Sequence, residues 1–357
     1  MQALLVVAFS LLAALEPLTG PGGGGKPSPA TAALEKGTQL FKQGDTAGAL
    51  KAFDAAATAD PSDPRPAYLR GVALEKKGDG AGAEAAYRKA IALKADFAEA
   101  HNNLGSLLMG RGQPSQAARE FEAATKARPA YPEAAFNLGV ARDAEGEPKR
   151  AEAVAAYRLA VRLKPEDAAY RLNLGVALRK QGDLGGAQAA LKEAARLAPK
   201  DALVWTNLGM IQSDQKAYDA AAESLEKAVK LAPEGALGWN RLGRVELRRK
   251  KIERATEAAE RARKLEPKNA AFAADLCRAL IEKEATERAV TECRAAVALD
   301  PKNALATYEL GKALVAKGDC AAARAALDRF AALPDVKSEA KAQAAAIAKS
   351  CAATPKR

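Results

Sequence analysis

The sequence predicts an all-α solenoid built from antiparallel helix pairs, with one more helix covering its C-terminal end. Three observations support this prediction. A period of 34 residues runs through nine consecutive units, with a single two-residue insertion in the fourth. Small and large apolar residues keep fixed positions within each unit, and proline closes seven of the nine. Such a period is typical of a repeated helix–turn–helix unit that packs only on its neighbours.

A glycine position in the first helix of each unit marks the register of the repeats. In four units this glycine follows Asn-Leu, as in the stretch Asn173-Leu174-Gly175. A residue without a side chain allows the partner helix to approach closely. The position is occupied in turn by Gly37, Gly71, Gly105, Gly139, Gly175, Gly209, Gly243, Cys277 and Gly311.

The second helix of each unit carries a small residue followed by a larger one. Every unit has an alanine twelve residues after the glycine position, or fourteen in the unit with the insertion. Facing helices can approach where side chains are small, and a bulky residue then fills the next layer. The alanines are Ala49, Ala83, Ala117, Ala153, Ala187, Ala221, Ala255, Ala289 and Ala323. The bulky residues four positions later are Phe53, Tyr87, Phe121, Tyr157, Leu191 and Leu225.

With these positions in place, residues 30–335 resemble the tetratricopeptide repeat family. Trp205 and Trp239 occupy the position of the family's tryptophan. The resemblance implies a right-handed superhelix whose first helices line a concave groove, and a role in binding other proteins. Four positions depart from the family pattern without changing the predicted fold: Ala95, Ala259, Cys277 and Cys293.

The N-terminal segment precedes the repeats and differs from them in composition. Residues 1–20 contain an apolar run at positions 3–15, which is too short to span a bilayer comfortably but suits a secretory signal peptide. No Lys or Arg precedes this run, so an uncleaved membrane anchor is the alternative. Residues 21–29 are rich in Gly and Pro and are expected to be a flexible linker. We therefore expect an exported, periplasmic or secreted protein.

Turn residues predict where the helices within a repeat end. Gly in the left-handed conformation ends the first helix, and Asp caps the second, in four Gly-Asp pairs. The insertion near Gly146 and Pro148 is expected to lengthen either one such turn or the start of the second helix. Residues 336–357 read as a capping helix with a loose tail, which would cover the exposed face of the last repeat. The four pairs are Gly44-Asp45, Gly78-Asp79, Gly182-Asp183 and Gly318-Asp319.

All four cysteines lie in the last third of the chain. Cys277 and Cys293 fall on opposite helices of one repeat, where they are either a disulfide or small apolar fillers. Cys320 begins a helix and Cys351 ends the capping helix, so antiparallel packing would bring these two together. Neither of these positions requires a small apolar residue, and we predict a disulfide there. Oxidised cysteines would agree with export.

Composition argues against catalysis and against metal or cofactor binding. His101 is the only histidine and occupies the tryptophan position, where packing explains it. The cysteines lack metal-ligand spacing. A glycosyltransferase fused to the repeats would need a catalytic domain, and no segment is long enough for one. The sequence predicts a non-enzyme with no cofactor and no metal.

A basic zone is predicted on the groove side of the C-terminal repeats. Arg244, Arg278 and Lys312 occupy one position in three successive repeats, and Arg241 and Arg248 flank Arg244 on its helix. Stacked like charges repel, so we expect them to bind a carboxylate or phosphate. This resembles carboxylate recognition by some grooves of the family, although not all of the clamp residues match. A solvated basic face is the alternative.

A column of asparagines is the second candidate for peptide binding. Side-chain amides both donate and accept, so a ladder of them could hold the backbone of an extended peptide. A similar ladder lines the repeats of O-linked N-acetylglucosamine transferase. Asparagine is also common here in ordinary repeats, which is the alternative explanation. The column comprises Asn103, Asn137, Asn173 and Asn207.

Together these features predict a non-catalytic scaffold that binds an extended or acidic peptide segment of another protein, in a bacterial-type envelope or secretion assembly. Two alternatives remain. The net charge of +11, concentrated in residues 236–269 with eleven Lys/Arg against five Glu, would suit nucleic acid or another polyanion. Sparse aromatic residues and the predicted export disfavour nucleic acid. A self-assembling structural component is the other alternative.

Overall fold

The computed structural model describes residues 27–353, with side chains as far as Cys351. Within this range every regular element is helical, which confirms the predicted all-α fold. The predicted signal peptide at residues 1–20 lies outside the described residues, as does most of the predicted linker at residues 21–29. The described helices fall into two compact units, which divide between Asp183 and Leu184.

The first unit comprises antiparallel helix pairs in which each helix packs against the next along the chain. A short 3-10 helix, Glu147–Lys149, interrupts the connection between its seventh and eighth α-helices. The α-helices described in this unit are α1 (Pro29–Lys42), α2 (Thr46–Ala59), α3 (Pro64–Lys77), α4 (Gly80–Leu93), α5 (Ala98–Gly110), α6 (Pro114–Ala127), α7 (Pro132–Ala144), α8 (Arg150–Leu163) and α9 (Ala168–Gln181).

The second unit continues the same arrangement of neighbouring antiparallel helices and ends in a capping helix. Its described helices are α10 (Leu184–Leu197), α11 (Ala202–Asp214), α12 (Tyr218–Leu231), α13 (Ala236–Arg248), α14 (Ile252–Leu265), α15 (Ala270–Glu282), α16 (Thr286–Leu299), α17 (Ala304–Lys317), α18 (Cys320–Ala331) and α19 (Ser338–Ala353). The last helix packs on both α17 and α18, which confirms the predicted cap.

Packing within a repeat depends on the glycine position and the bulky residue sixteen positions later. A Cβ atom added to Gly71 would lie 2.6 Å from the ring of Tyr87, and one added to Gly105 would lie 2.7 Å from the ring of Phe121. Both aromatic residues are fully buried. The predicted alanines of the second helices are fully buried as well. The small-and-large pattern therefore describes the contact between the two helices of a repeat.

The tryptophan position closes the connection between repeats with a hydrogen bond. The indole Nε1 of Trp205 donates to the carbonyl of Pro199 at 2.9 Å, and that of Trp239 donates to Pro233 at 2.8 Å. Nε of Arg171 occupies the same position and donates to the carbonyl of Pro165 at 2.8 Å. Where this position has a long side chain with an N–H donor, that side chain bonds to the connection between repeats.

The predicted Gly-Asp turns are confirmed at the positions that the structure details. Gly78 and Gly318 end their helices in the left-handed conformation, with φ of 86° and 80°. Asp79 and Asp319 then cap the next helix through their side chains. In three later turns a residue with a side chain adopts this conformation instead, which is strained. These residues are Lys216, Lys250 and Glu284, with φ of 63°, 58° and 62°.

The two-residue insertion lengthens the turn of its repeat, as expected. Gly146 has φ of 92°, and the 3-10 helix follows it directly. Arg142 at the end of α7 holds this turn, because its guanidinium pairs with Glu145 at 2.9 Å and with Glu152 at 3.0 Å. A third pair, with Glu122 at 2.9 Å, joins it to α6. The Arg142 side chain is only 12% exposed, so these carboxylates compensate a largely buried charge.

Candidate functional site

The basic zone predicted on the C-terminal repeats lies on first helices of the second unit. Arg244 and Arg248 are exposed on α13, one helical turn apart and therefore on one face. Leu237, seven residues before Arg244 on the same face, is 42% exposed. Arg241 is half-buried on this helix. The face of α13 thus offers two exposed guanidinium groups beside an exposed apolar side chain.

Arg244, Arg278 and Lys312 form a basic column at one position of three successive repeats. The last two are already paired. Lys312 Nζ lies 3.1 Å from Oε2 of Glu309, and Arg278 Nε lies 3.8 Å from Oε1 of the same carboxylate. Glu309 is buried, with 3% of its surface exposed. For Arg278 and Lys312, pairing with Glu309 therefore offers an explanation of the stacked cations that does not need a ligand. The compensating residue lies three positions before Lys312, and its burial could not be read from the sequence.

A shallow depression of about 670 Å³ adjoins the exposed arginines. Its polar lining includes Ser213, Tyr218, Arg244, Arg248, Arg278 and Glu282. Hydroxyl, guanidinium and carboxylate groups converge here, so the depression can form hydrogen bonds to both charged and polar groups of a ligand.

The basic run at residues 248–251 is less continuous than its sequence indicates. Arg249 is paired within the protein. Its Nε donates to Asp219 at 2.8 Å, and its Nη1 lies 3.1 Å from both carboxylate oxygens of Glu246. Glu246 is fully buried. One of the four cations is therefore used to neutralise a buried carboxylate.

In the first unit the predicted asparagine column connects one repeat to the next. Asn103 Nδ2 donates to the hydroxyl of Tyr68 at 3.2 Å, and Asn137 Nδ2 donates to Oδ1 of Asn102 at 3.0 Å. Each donor lies 35 residues after its acceptor. Both Asn103 and Asn137 are buried, with 6% exposed. Their amides hold neighbouring repeats together, and only a repeat-to-repeat comparison of adjacent positions could have indicated this.

The other two asparagines of the column differ from these. Asn173 and Asn207 are half-buried, and each Nδ2 donates to a carbonyl four residues earlier in its own helix, at 2.8 and 2.9 Å. The four asparagines are therefore not an equivalent ladder, because two of them join neighbouring repeats and two bond within their own helices. The amide nitrogen of each has a partner within the protein. Asn173 and Asn207 are the members with accessible surface.

Both predicted cysteine pairs lie at disulfide distance. The Cα atoms of Cys277 and Cys293 are 5.2 Å apart, and those of Cys320 and Cys351 are 5.4 Å apart. Cys277 stands at the glycine position and Cys293 at the bulky position of one repeat. In this repeat a cysteine pair thus takes the place of the glycine–aromatic contact, and its spacing fits the disulfide alternative.

His101 has a structural environment. In its charged form Nε2 donates to the carbonyl of Ala95 at 3.0 Å and Nδ1 donates to Oε2 of Glu120 at 2.7 Å. The hydrogen bond to Glu120 raises the pKa of His101 above its ordinary value of 6.5, against the opposing effect of burial. The ring fills the tryptophan position and makes the same bond across the repeat connection as Trp205 and Trp239.

Among residues 27–353, no group of three or more His, Cys, Asp or Glu side chains is arranged to hold a metal ion. None of the helices in the same range has the length and apolar character needed to cross a membrane.

The fold is similar to that of several solved repeat proteins. The Cut9–Hcn1 hetero-tetramer of the APC/C aligns over 80% of this chain with a TM-score of 0.55 and 20% identity, and the alignment spans 55% of that chain. YrrB, described as a tetratricopeptide repeat protein with an unusual peptide-binding site, aligns over 53% of this chain and 96% of its own, with 23% identity and a TM-score of 0.49. PilF of Pseudomonas aeruginosa aligns over 59% and 94%, with 22% identity and a TM-score of 0.49. Similarity at this level of identity concerns the fold alone.

The comparison with curated proteins gives no match. A family model described as tetratricopeptide repeat matches most of the chain, in overlapping segments that follow the 34-residue period. The matched segments are residues 34–100, 102–168, 149–202, 172–236, 206–270 and 240–304. The chain therefore belongs to the tetratricopeptide repeat family, whose members are generally non-catalytic scaffolds for protein–protein interaction.

Proposed function

We propose that this scaffold binds an extended, acidic peptide segment of a partner protein on the groove-facing side of its first helices. The observation that carries the proposal is the exposed face of α13, where Arg244 and Arg248 stand free beside the depression. Exposed guanidinium groups make strong, directional hydrogen bonds with carboxylates. Leu237 on the same face adds an apolar contact, so the preferred segment combines acidic and apolar side chains.

We further propose that the protein works outside the cytoplasm, in an envelope or secretion assembly. Two cysteine pairs at disulfide distance support this, because disulfides persist mainly in oxidising compartments. The predicted N-terminal signal peptide would provide the route of export.

Affinity capture from envelope and soluble extracts tests the proposed binding. The bait is the full chain, compared with a variant in which the exposed Arg244 and Arg248 are both changed to Glu. We expect partners of the wild type to be lost by the variant, while circular dichroism shows the same helical content. Capture of the same partners by the folded variant would contradict binding through the basic zone.

Polyanion binding through the seventh repeat is the competing function, and salt dependence separates the two. Nucleic acid binding that uses several cations falls steeply with salt concentration. Arg249 is already paired with two carboxylates, which reduces the cations available for such contacts. We expect no measurable binding of a single-stranded oligonucleotide at 0.15 M salt, where surface charges are strongly screened.

A further inference from the structure

The basic column of the second unit carries its own counter-charges, and they are unevenly distributed. One position in each first helix lies three residues before the cation of the column. In α13 this position is an arginine, whereas α15 and α17 have a carboxylate there. Arg241, Asp275 and Glu309 occupy it in turn.

Glu309 neutralises the C-terminal end of the column. It is 97% buried by its neighbours, since only 3% of its surface is exposed. Lys312 at 3.1 Å and Arg278 at 3.8 Å are its cationic partners, from α17 and α15 respectively. A buried carboxylate needs such compensation, so a cation that turns to an external anion weakens the compensation of Glu309.

Asp275 adds a second buried carboxylate to the same end. Its Oδ2 accepts a hydrogen bond of 2.7 Å from Nδ2 of Asn240, and 6% of the residue is exposed. It lies three residues before Arg278, which places both on one side of α15. An anion approaching Arg278 therefore meets the field of two carboxylates as well as that of the cation.

The N-terminal end of the column has the opposite character. Arg244 and Arg248 are exposed, and neither has an ion pair or hydrogen bond to another residue within 27–353. No carboxylate occupies the preceding position of α13, because Arg241 stands there. An anionic ligand group at this helix meets two guanidinium groups that have no internal partner in the described range, although the carboxylate of Glu282 lines the same depression.

We infer that Glu309 determines where a ligand binds: it closes the Arg278 and Lys312 end of the column to anions and leaves Arg244 and Arg248 as the docking point. This inference rests on the proposed function and adds the position of the bound segment along the repeats. The acidic group of the peptide is expected over the seventh repeat, and its flanking apolar residues over neighbouring repeats.

A fluorescently labelled hexaglutamate peptide, titrated with the full chain at low ionic strength, tests the register. Arg244→Gln is expected to weaken binding by about tenfold, as the loss of a charge-assisted hydrogen bond would. Arg278→Gln removes the same charge one repeat later and is expected to change the affinity by about twofold or less. Equal losses for the two variants would overturn the inference while leaving peptide binding by the groove intact.

Glu309→Gln tests the role of the carboxylate itself. Releasing Arg278 and Lys312 is expected to tighten hexaglutamate binding by about threefold or more, and in this background Arg278→Gln should then weaken it. Glu223→Gln on the second helix α12 makes the same change in net charge and is expected to leave the affinity unchanged. An equal gain for both Glu variants would overturn the inference. If neither wild type nor Glu309→Gln binds the peptide, both the inference and the proposed function fail.

Discussion

At the tryptophan position, residues of three types make one hydrogen bond across the connection between repeats. Trp205, Trp239, Arg171 and His101 each reach a carbonyl six residues earlier. The family resemblance identified the position, but the bond could not be predicted from residue type, because the path of the connecting turn decides which carbonyl is within reach. The same limit applies to Glu309, whose burial follows from packing between repeats.

The pKa of His101 makes one contribution to stability depend on pH. Its folded pKa is raised above the ordinary 6.5 by Glu120. The stabilisation is therefore fully present below the unfolded pKa and is lost as the pH rises through the folded pKa. We expect the NMR titration of this single histidine to give a midpoint above 6.5. A midpoint below that value would contradict the ion pair with Glu120.

Glu284 is strained in a turn where other repeats use glycine, with φ of 62°. Glu284→Gly is expected to raise the free energy of unfolding by about 1 kcal/mol, because glycine adopts this conformation without steric cost. Chemical denaturation measures the change. Gly318→Ala, at φ of 80° and with open space around the added Cβ, should lower stability by a similar amount. No change in either variant would contradict the strain.

At the scale of the helix pair, sequence pattern and structure agree closely. The alternation of small and bulky positions predicted which residues meet, because that contact depends on a local spacing of sixteen residues. The pattern also placed Cys277 opposite Cys293. It did not predict the amide contacts of Asn103 and Asn137, which join different repeats through adjacent positions 35 residues apart.

The glycine contact predicts a large effect from one methyl group. Gly105→Ala would place its Cβ 2.7 Å from Phe121, and we expect a loss of about 2 kcal/mol in the free energy of unfolding. Gly110→Ala on the same helix is the matched control, since no heavy atom lies within 4 Å of the added group. Similar stability of the two variants would contradict the packing described for this helix pair.

The cysteine pair at the C-terminal end is expected to fasten the capping helix. Peptide mapping without reductant should find Cys320 joined to Cys351 in native material. A bond closing 31 residues should contribute about 3.7 kcal/mol in the chain-entropy model, so Cys351→Ser is expected to lower thermal stability. Free thiols at both positions in native protein would contradict the bond and weaken the case for export.

At the scale of the whole chain, the sequence predicted the fold from its period and a basic zone from its charge column. The number of free cations in that zone could not be predicted, because a net charge of +11 does not show which groups are paired internally. In the second unit Arg244 and Arg248 have no internal ion-pair partner among the described residues, whereas Arg278 and Lys312 are both paired with Glu309. The proposed ligand surface is therefore narrower than the sequence indicates.

Site-specific photo-crosslinking shows whether a partner segment binds along the arginine-bearing face of α13. A photoreactive residue replaces Leu237, which is 42% exposed on the arginine-bearing face of α13, or Glu223, which is exposed on the second helix α12. If a partner segment occupies the groove-facing side, crosslinks to another protein should form at position 237 and not at 223. Crosslinks confined to position 223, or equal at both, would contradict binding on this face.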